Sequence, residues 1–422
     1  FQAEDGIRDV ERSRGLGDVY KRQAVKRVLV ALVRIMASGK AEGLFEKLKP
    51  LSPGQEEIRK ALLDEKYEII GLFGPTGTGK SLFGILYGID AVLSGKYSRF
   101  ILSRPVVDVV TGKELTAADI GSLYYELATS YLKDILAGFI EWDVVEKLMS
   151  KGKIVVADTH YLRGRTFDDS VIFLDDAQSI PIESAIEIMV RIGNNSRFIV
   201  AGDPVFQRKH GAQDSASLLR EILLGEETAK VIDLGVKDIV RPGAKRGIRL
   251  LLESWMRSRS LSDSEKQVLD SVRIHAPDAD IVTVVEFIEE KRTFNIQSEH
   301  TPDALVVAKE GFLGRVIGKG GERIEAVEAD TGLRIRAVEL TLDFKPFIRA
   351  IHPASWVYRF ITDVDFAGPD LIVKVESEAF GAFVGQKGFH VKFLDAVMRK
   401  LLGVGIRAVE VETSKPGRSR RR

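Results

Sequence analysis

Gly74-Pro75-Thr76-Gly77-Thr78-Gly79-Lys80-Ser81 is the stretch from which the rest of the chain is read. It satisfies the pattern GxxxxGK[ST] in full. The apolar run Glu68–Phe73 before it predicts a strand, and 81–93 after it predicts a helix. That order suits an anion. Glycines let the backbone curl so that successive N–H groups face phosphate oxygens, and the helix N-terminus adds partial positive charge. In such a loop Lys80 bridges the β- and γ-phosphates and the Ser81 hydroxyl ligates Mg²⁺. Gly74, Pro75, Thr76, Gly77, Thr78, Gly79 and Leu82 complete the cofactor-binding stretch. The plainer alternative is a glycine-rich turn that opens a helix.

Outward from this loop, apolar runs alternate with stretches of helical periodicity. Strands are expected at 68–73, 100–102, 154–157, 171–174, 198–201 and 231–234. Alternation of this kind predicts an α/β fold, a parallel sheet with helices on both faces, and together with the phosphate-loop motif it resembles the P-loop (RecA-like) type. Upstream, Ser52 and Pro53 open a helix expected over 54–63.

Val171-Ile172-Phe173-Leu174 ends in Asp175-Asp176. A buried strand delivers a carboxylate at its C-terminal edge, beside the phosphate loop. Asp175 is the candidate metal-linked acid and Asp176 the candidate for polarising an attacking water; a helix-capping turn is the plainer alternative. Gly202-Asp203-Pro204-Val205-Phe206-Gln207 follows the next strand and can present Gln207 to a γ-phosphate, or form an ordinary Asp-Pro turn.

The chain has 422 residues, 45% hydrophobic and 29% charged, which fits several folded domains. Lys plus Arg is 62 and Asp plus Glu 61, a net charge of +1, so any basic surface is local. The absence of cysteine excludes disulfides, thiolate metal sites and cysteine nucleophiles. No apolar stretch has the length of a membrane span, and a cytoplasmic location without a membrane partner is expected. Residues 1–23 resemble the conceptual translation of a sequencing-adaptor read-through and are set aside, the alternative being a genuine polar arm. One or two short amphipathic helices are expected over 24–50. These readings divide the chain into 24–260 as the P-loop domain, 261–300 as a linker or small extension with a helix at 264–271, and 413–422 as a basic disordered tail.

The region between repeats itself. Pro302–Val307 recurs as Pro369–Lys374 and Gly318–Gly321 as Gly385–Gly388, both displaced by 67, while Ile335–Glu339 recurs as Ile406–Glu410, displaced by 71. Each copy reads strand, short helix, glycine loop, helix, strand. The four added residues lengthen the second copy's last helix by about one turn. Arg315-Val316-Ile317-Gly318-Lys319-Gly320-Gly321 resembles the KH signature, an Ile-Gly followed by a GxxG loop; Gly385-Gln386-Lys387-Gly388 is similar without the Ile. The resemblance implies two small α+β KH-like domains, at 301–345 and 346–412, whose loops clamp single-stranded RNA, with DNA the less favoured ligand. Phe344, Phe347, Trp356, Tyr358, Arg359 and Phe360 lie between the loops; base stacking is open to them, but core packing is favoured for most.

The order P-loop, Arg163-Gly164-Arg165-Thr166, Leu174–Gln178, Arg191-Ile192-Gly193, Gly202–Gln207 and Val240-Arg241-Pro242 resembles the PhoH family of ATPases, which are similar to the first motor domain of superfamily-one helicases. Ser103-Arg104-Pro105 matches a further family segment. The whole is similar to archaeal-type PhoH–KH fusions. The resemblance implies ATP and Mg²⁺ as cofactors, Gln55 as the reader of the adenine edge, Gln207 as γ-phosphate sensor, and Arg163, Arg165, Arg191 or, first among them, Arg241 as a phosphate contact. The family carries Asp-Glu where this chain has Asp175-Asp176; the shorter side chain bears on the rate of hydrolysis. An RNA-coupled ATPase, possible as a homo-oligomeric ring that supplies the missing second motor, is therefore expected. A nucleotide-switched RNA scaffold or ribonuclease accessory is the alternative.

Overall fold

A computed structural model describes residues 43–108, 114–162, 165–207 and 215–412. The adaptor-like segment, the helices expected within 24–42, Arg163 and the basic tail lie outside the described residues. The chain divides into two compact units, one built from 43–50, Ser81–Asp175 and Ile186–Ile199, the other from Leu51–Lys80, Asp176–Ala185 and 200–412.

The strands of the α/β region are β1 (Ile69–Phe73), β2 (Arg99–Ser103), β3 (Val106–Val107), β4 (Glu114–Leu115), β5 (Ile154–Ala157), β6 (Ser170–Leu174), β7 (Arg197–Gly202) and β8 (Ala229–Asp233). Six of them form one parallel sheet in the order β5-β2-β6-β7-β1-β8, while β3 and β4 make a small antiparallel ribbon. All six strands expected from the sequence are present. β6 and β7 are buried at every position, which is why they read as continuous apolar runs rather than alternating ones.

In the first unit β2 lies between β5 and β6. Helix Lys80–Leu93 runs past this sheet close enough that a Cβ on Gly88 would sit 2.2 Å from the Phe100 ring. In the second unit β1 pairs with β8 from Ile69↔Ala229 to Phe73↔Asp233, and helix Pro53–Leu63 is capped by Ser52, whose side chain accepts the Gln55 N–H.

The C-terminal half contains two three-stranded sheets. The first joins β9 (Ile281–Glu286), β10 (Ala304–Ala308) and β11 (Ile335–Glu339); the second joins β12 (Ile361–Ala367), β13 (Asp370–Glu376) and β14 (Gly405–Val411). In each, the first pair is antiparallel and the second parallel. The segment 261–300 departs from the linker reading: it supplies the helix Asp263–His275 and strand β9, both packed into the first α+β body. A helix and an antiparallel strand therefore precede the repeat in both copies, as Lys345–Ile351 and β12 do in the second. The β-branched run Ile281–Val285 forms the extra strand because such side chains pack well on a pleated, buried surface. The helices after the glycine loops, Glu322–Thr331 and Phe389–Leu402, have 10 and 14 residues, the one-turn difference that the offset predicts.

These bodies are not beads on a string. One apolar cluster runs from Phe206, Ile239 and Met256 through Phe287 and Leu305 to Phe344, Phe366 and Phe393. Phe287 and Phe393 meet edge-on at 5.6 Å, and Lys400 pairs with Glu286 and Glu290 at 3.2 and 3.3 Å.

Gly88 offers a direct check on the close helix–sheet packing. Alanine in an exposed helix would gain about 1 kcal/mol over glycine. Here the added methyl meets the ring of Phe100, which is 0% exposed. Overpacking costs about 1–3 kcal/mol, so Gly88→Ala is expected to lower the melting temperature. An unchanged or raised melting temperature would contradict the packing.

Candidate functional site

The phosphate loop is shaped by its neighbours. Gly74 donates its N–H to Gly202 O at 3.0 Å and has φ +151°; a Cβ there would lie 2.3 Å from Leu234 O, so no other residue fits. Gly77 and Gly79 also have positive φ, at +84° and +98°. Thr78 is fully buried and donates to Pro75 O at 2.9 Å. The Lys80 ammonium donates to Gly74 O at 2.7 Å and Pro75 O at 2.8 Å, which holds the charge over the loop. Val240 donates its N–H to Gly77 O at 3.1 Å, so the segment after β8 fixes the loop's far side.

Gln55 is the expected reader of the adenine edge. It is 3% exposed; its Oε1 accepts the Leu51 N–H at 2.8 Å and its Nε2 donates to Thr78 O at 2.9 Å. The amide braces the loop, with one N–H and one lone pair left over for any other partner.

In the other unit, the Ser81 hydroxyl donates to Asp175 Oδ1 at 3.1 Å. Asp175 is 1% exposed, its N–H donates to Ser103 O at 2.9 Å, and its Oδ2 accepts from the Tyr131 hydroxyl at 2.5 Å. Tyr131 comes from helix Ser122–Leu136 and carries the Arg104 guanidinium 3.6 Å from its ring centroid. Burial and then the Asp175 charge push the phenol well above its ordinary range, so it stays a donor. A hydroxyl beside a buried carboxylate offers the hard oxygen donors that Mg²⁺ takes. Among the described residues there is no cluster of three or more His, Cys, Asp or Glu side chains fit to hold a metal by themselves. The pair therefore fits a Mg²⁺ that keeps water and takes phosphate oxygens as its remaining ligands.

Asp176 adopts a left-handed conformation, φ +54°, which aspartate tolerates better than most residues. Its Oδ1 accepts from Gln178 Nε2 at 3.2 Å; the same nitrogen donates to Gln207 Oε1 at 2.8 Å, and Gln178 Oε1 accepts the Asp203 N–H at 3.1 Å. Gln178 thus joins the second acid to the candidate sensor. Asp203 Oδ1 in turn accepts the N–H groups of Val205 and Phe206, fixing the turn that carries Gln207. Arg241 precedes helix Pro242–Arg257, lies 3.6 Å from the Cβ position of Gly77, and makes no ion pair among the described residues. With Thr76, Gln207 and Ile248 it lines a cleft of about 620 Å³. Leu82 continues the helix after the loop, and Arg165 is exposed; Arg191 accepts the Phe167 N–H at its carbonyl and donates its own N–H to Ile188 O, both at 3.0 Å.

The two glycine loops share one backbone path. Gly318 and Gly385 have φ/ψ of 78°/176° and 74°/169°, and Gly321 and Gly388 both lie in the left-handed region. Where the first loop has Gly320 at φ +69°, the second has Lys387 at φ +55°. Lysine in that conformation costs ~1–2 kcal/mol, and the loop keeps its shape regardless. Lys319, Gln386 and Lys387 are exposed. Behind the second loop, buried His352 donates from Nε2 to Phe383 O at 3.0 Å; burial pushes its pKa down to about 4 and keeps it neutral. Of the aromatic residues between the loops, Phe344 and Phe347 are 0% exposed, whereas Trp356 is 51% exposed.

Sequence reasoning did not single out Tyr131, and it quoted Arg104 and Gln178 without assigning them a role. Tyr131 carries no motif signal and is found only through tertiary proximity; Gln178 sits inside the quoted Leu174–Gln178 stretch.

Residues 47–253 match the PhoH-like protein family. The PhoH-like segment is 29% identical over 205 residues to a PhoH-like protein of Bacillus subtilis, covering 48% of this chain and 62% of that protein. It is 30% identical over 216 residues to a PhoH-like protein of Synechocystis, covering 49% and 62%. The chain thus spans less than two thirds of the length of these curated relatives. Among solved structures, Pif1 helicase from Candida albicans is 13% identical, with a TM-score of 0.23 over 62% of this chain and 64% of that one. No helix among the described residues is long and apolar enough to cross a membrane.

Tyr131→Phe removes the donor to a buried carboxylate oxygen and is expected to cost about 1–3 kcal/mol of stability, read by denaturant titration. Wild-type stability would show that the Tyr131–Asp175 bond is not formed.

Proposed function

We propose that the PhoH-like segment binds ATP with Mg²⁺ and hydrolyses it, and that the C-terminal α+β pair holds single-stranded RNA at its two GxxG loops. The observation that carries the nucleotide half is the Ser81–Asp175 bond, because a hydroxyl next to the loop lysine is tied to a buried strand-end carboxylate.

In this reading the N–H groups of 74–81 and the Lys80 ammonium take the β- and γ-phosphate oxygens, for which Lys80 exchanges its bonds to Gly74 O and Pro75 O. Bound Mg²⁺ supplies charge neutralisation on the phosphates. Asp176, held by Gln178, orients a water whose oxygen attacks the γ-phosphorus. The bond to the β–γ bridging oxygen breaks, giving ADP and inorganic phosphate. Gln207 is placed by the same Gln178 amide, so the acid and the sensor move as one hydrogen-bonded group. At the other end, the GxxG loops let a sugar-phosphate backbone approach main-chain amides, with Lys319 and Lys387 adding charge, as KH-type loops do.

A second reading is favoured by Asp176. Its side chain is one methylene shorter than glutamate and is already bound by Gln178. A protein that binds ATP and turns it over slowly would act as a nucleotide-switched RNA scaffold.

One assay separates the readings: ATP turnover with and without a single-stranded RNA oligonucleotide, in wild type and Lys80→Ala. The enzyme reading predicts RNA-stimulated turnover that falls by roughly 100-fold or more in Lys80→Ala. RNA binding that responds to a non-hydrolysable nucleotide, without turnover, would favour the scaffold. Absence of both would overturn the proposal.

A further inference from the structure

The β12–β13 hairpin belongs by sequence to the second α+β body, yet one side of it is spent on the nucleotide machinery. Four hairpin residues, Asp363, Asp365, Phe366 and Gly368, make the connection, all within the second compact unit. Asp365 Oδ1 accepts the Val236 N–H at 2.8 Å and its Oδ2 accepts the Lys237 N–H at 3.0 Å. Gly235 passes so close that a Cβ would lie 2.2 Å from the Asp365 carboxylate. Lys237 pairs with Asp363. Phe366 meets Phe206 edge-on at 5.1 Å, and Phe206 stacks on Trp255 at 5.8 Å. The hairpin tip, Gly368, lies against Arg220, which clamps Asp233 at the end of β8 with two bonds of 2.6 and 2.5 Å.

The Asp365 and Phe366 contacts lead to residues of the nucleotide site. The segment held by Asp365 runs on to Val240, whose N–H caps Gly77 O, and to Arg241. Within it, Asp238 also accepts the N–H of Gly54, beside the loop-bracing Gln55, at 2.9 Å. Phe206 immediately precedes Gln207. At its other end the hairpin leads without a linker into helix Ser377–Val384 and so into the second GxxG loop. Asp365 is partly buried; desolvation raises its pKa, while backbone N–H donors at 237, 236 and 366 favour the charged form. A surface tether would not need a carboxylate bound by three main-chain donors.

We propose that the β12–β13 hairpin, through Asp365 and Phe366, sets the positions of Arg241 and Gln207, and thereby couples strand binding at the second GxxG loop to turnover at the P-loop. This rests on the functional reading above. Asp365 is a positioning residue: it acts through the 235–241 segment. The P-loop has its own supports in Gly202, Gln55 and Thr78, so loss of Asp365 leaves nucleotide binding largely intact and misplaces the γ-phosphate side.

The test uses the full chain and compares wild type with Asp365→Ala, Asp365→Asn and Phe366→Leu. Steady-state ATP turnover is measured with and without a single-stranded RNA oligonucleotide, together with calorimetric affinities for Mg·ADP and for the RNA. Asp365→Ala is expected to lower kcat by roughly tenfold or more while KM and the Mg·ADP affinity change less than about threefold. RNA stimulation is expected to vanish although the RNA still binds. Asp365→Asn, which keeps one acceptor, falls between the two. Phe366→Leu, a milder change, weakens RNA stimulation and covers the case in which Asp365→Ala does not fold. Folded Asp365→Asn and Phe366→Leu proteins with wild-type kcat and stimulation would overturn the coupling alone. A wild type without turnover would overturn the enzyme reading and the coupling with it.

Discussion

The close approach of Gly74 to the Leu234 carbonyl is the contact on which the site depends. Only a residue without a Cβ passes a backbone oxygen at that distance, and only with β1 and β8 paired in register does the chain reach it. Gly74 is thereby pinned between Gly202 on one side and Leu234 on the other. The residues after Leu234 extend that hold, because Val240 binds Gly77. The loop is rigid because the ends of neighbouring strands define it. Its shape is therefore in place before any ligand arrives, so binding costs little reorganisation.

The continuous apolar cluster changes how the C-terminal bodies relate to the rest of their unit. Residues of helix Pro242–Arg257, of the sensor turn and of both small sheets share one core. Interiors of this density do not deform gradually; they shift between discrete arrangements. A ligand that biases one part of such a core biases the remainder in proportion to its preference for one arrangement. In the proposed function linkage is also reciprocal: whatever factor RNA applied to nucleotide affinity, nucleotide would apply to RNA affinity.

Much of this was legible in the sequence for specific physical reasons. β6 and β7 are buried on both faces, so their apolar runs are unbroken, and the phosphate loop carries a full motif. The second copy of the repeat was legible because its offset is nearly constant. β9 was not read as a strand because charged and polar residues surround the short β-branched run on both sides, yet its partner β10 buries it. Tyr131 could not be found at all: it acts on Asp175 from a position 44 residues away, through a bond that only the tertiary fold creates. The bonds of the Gln55 amide to Leu51 and Thr78 could not be read from the sequence, since a glutamine's direction is set by which backbone groups lie within reach. Lys387 shows the converse. A lysine stands there where the first loop has Gly320, and the left-handed backbone is kept.

The central claim is that main-chain amides and Lys80 recognise a polyphosphate chain. Calorimetric titration of ATP, ADP and AMP into the wild-type chain with magnesium tests it most directly. ATP and ADP are expected to bind, and AMP, lacking the phosphates the loop surrounds, to bind about 100-fold more weakly or not at all. Equal affinities for ATP and AMP would contradict it.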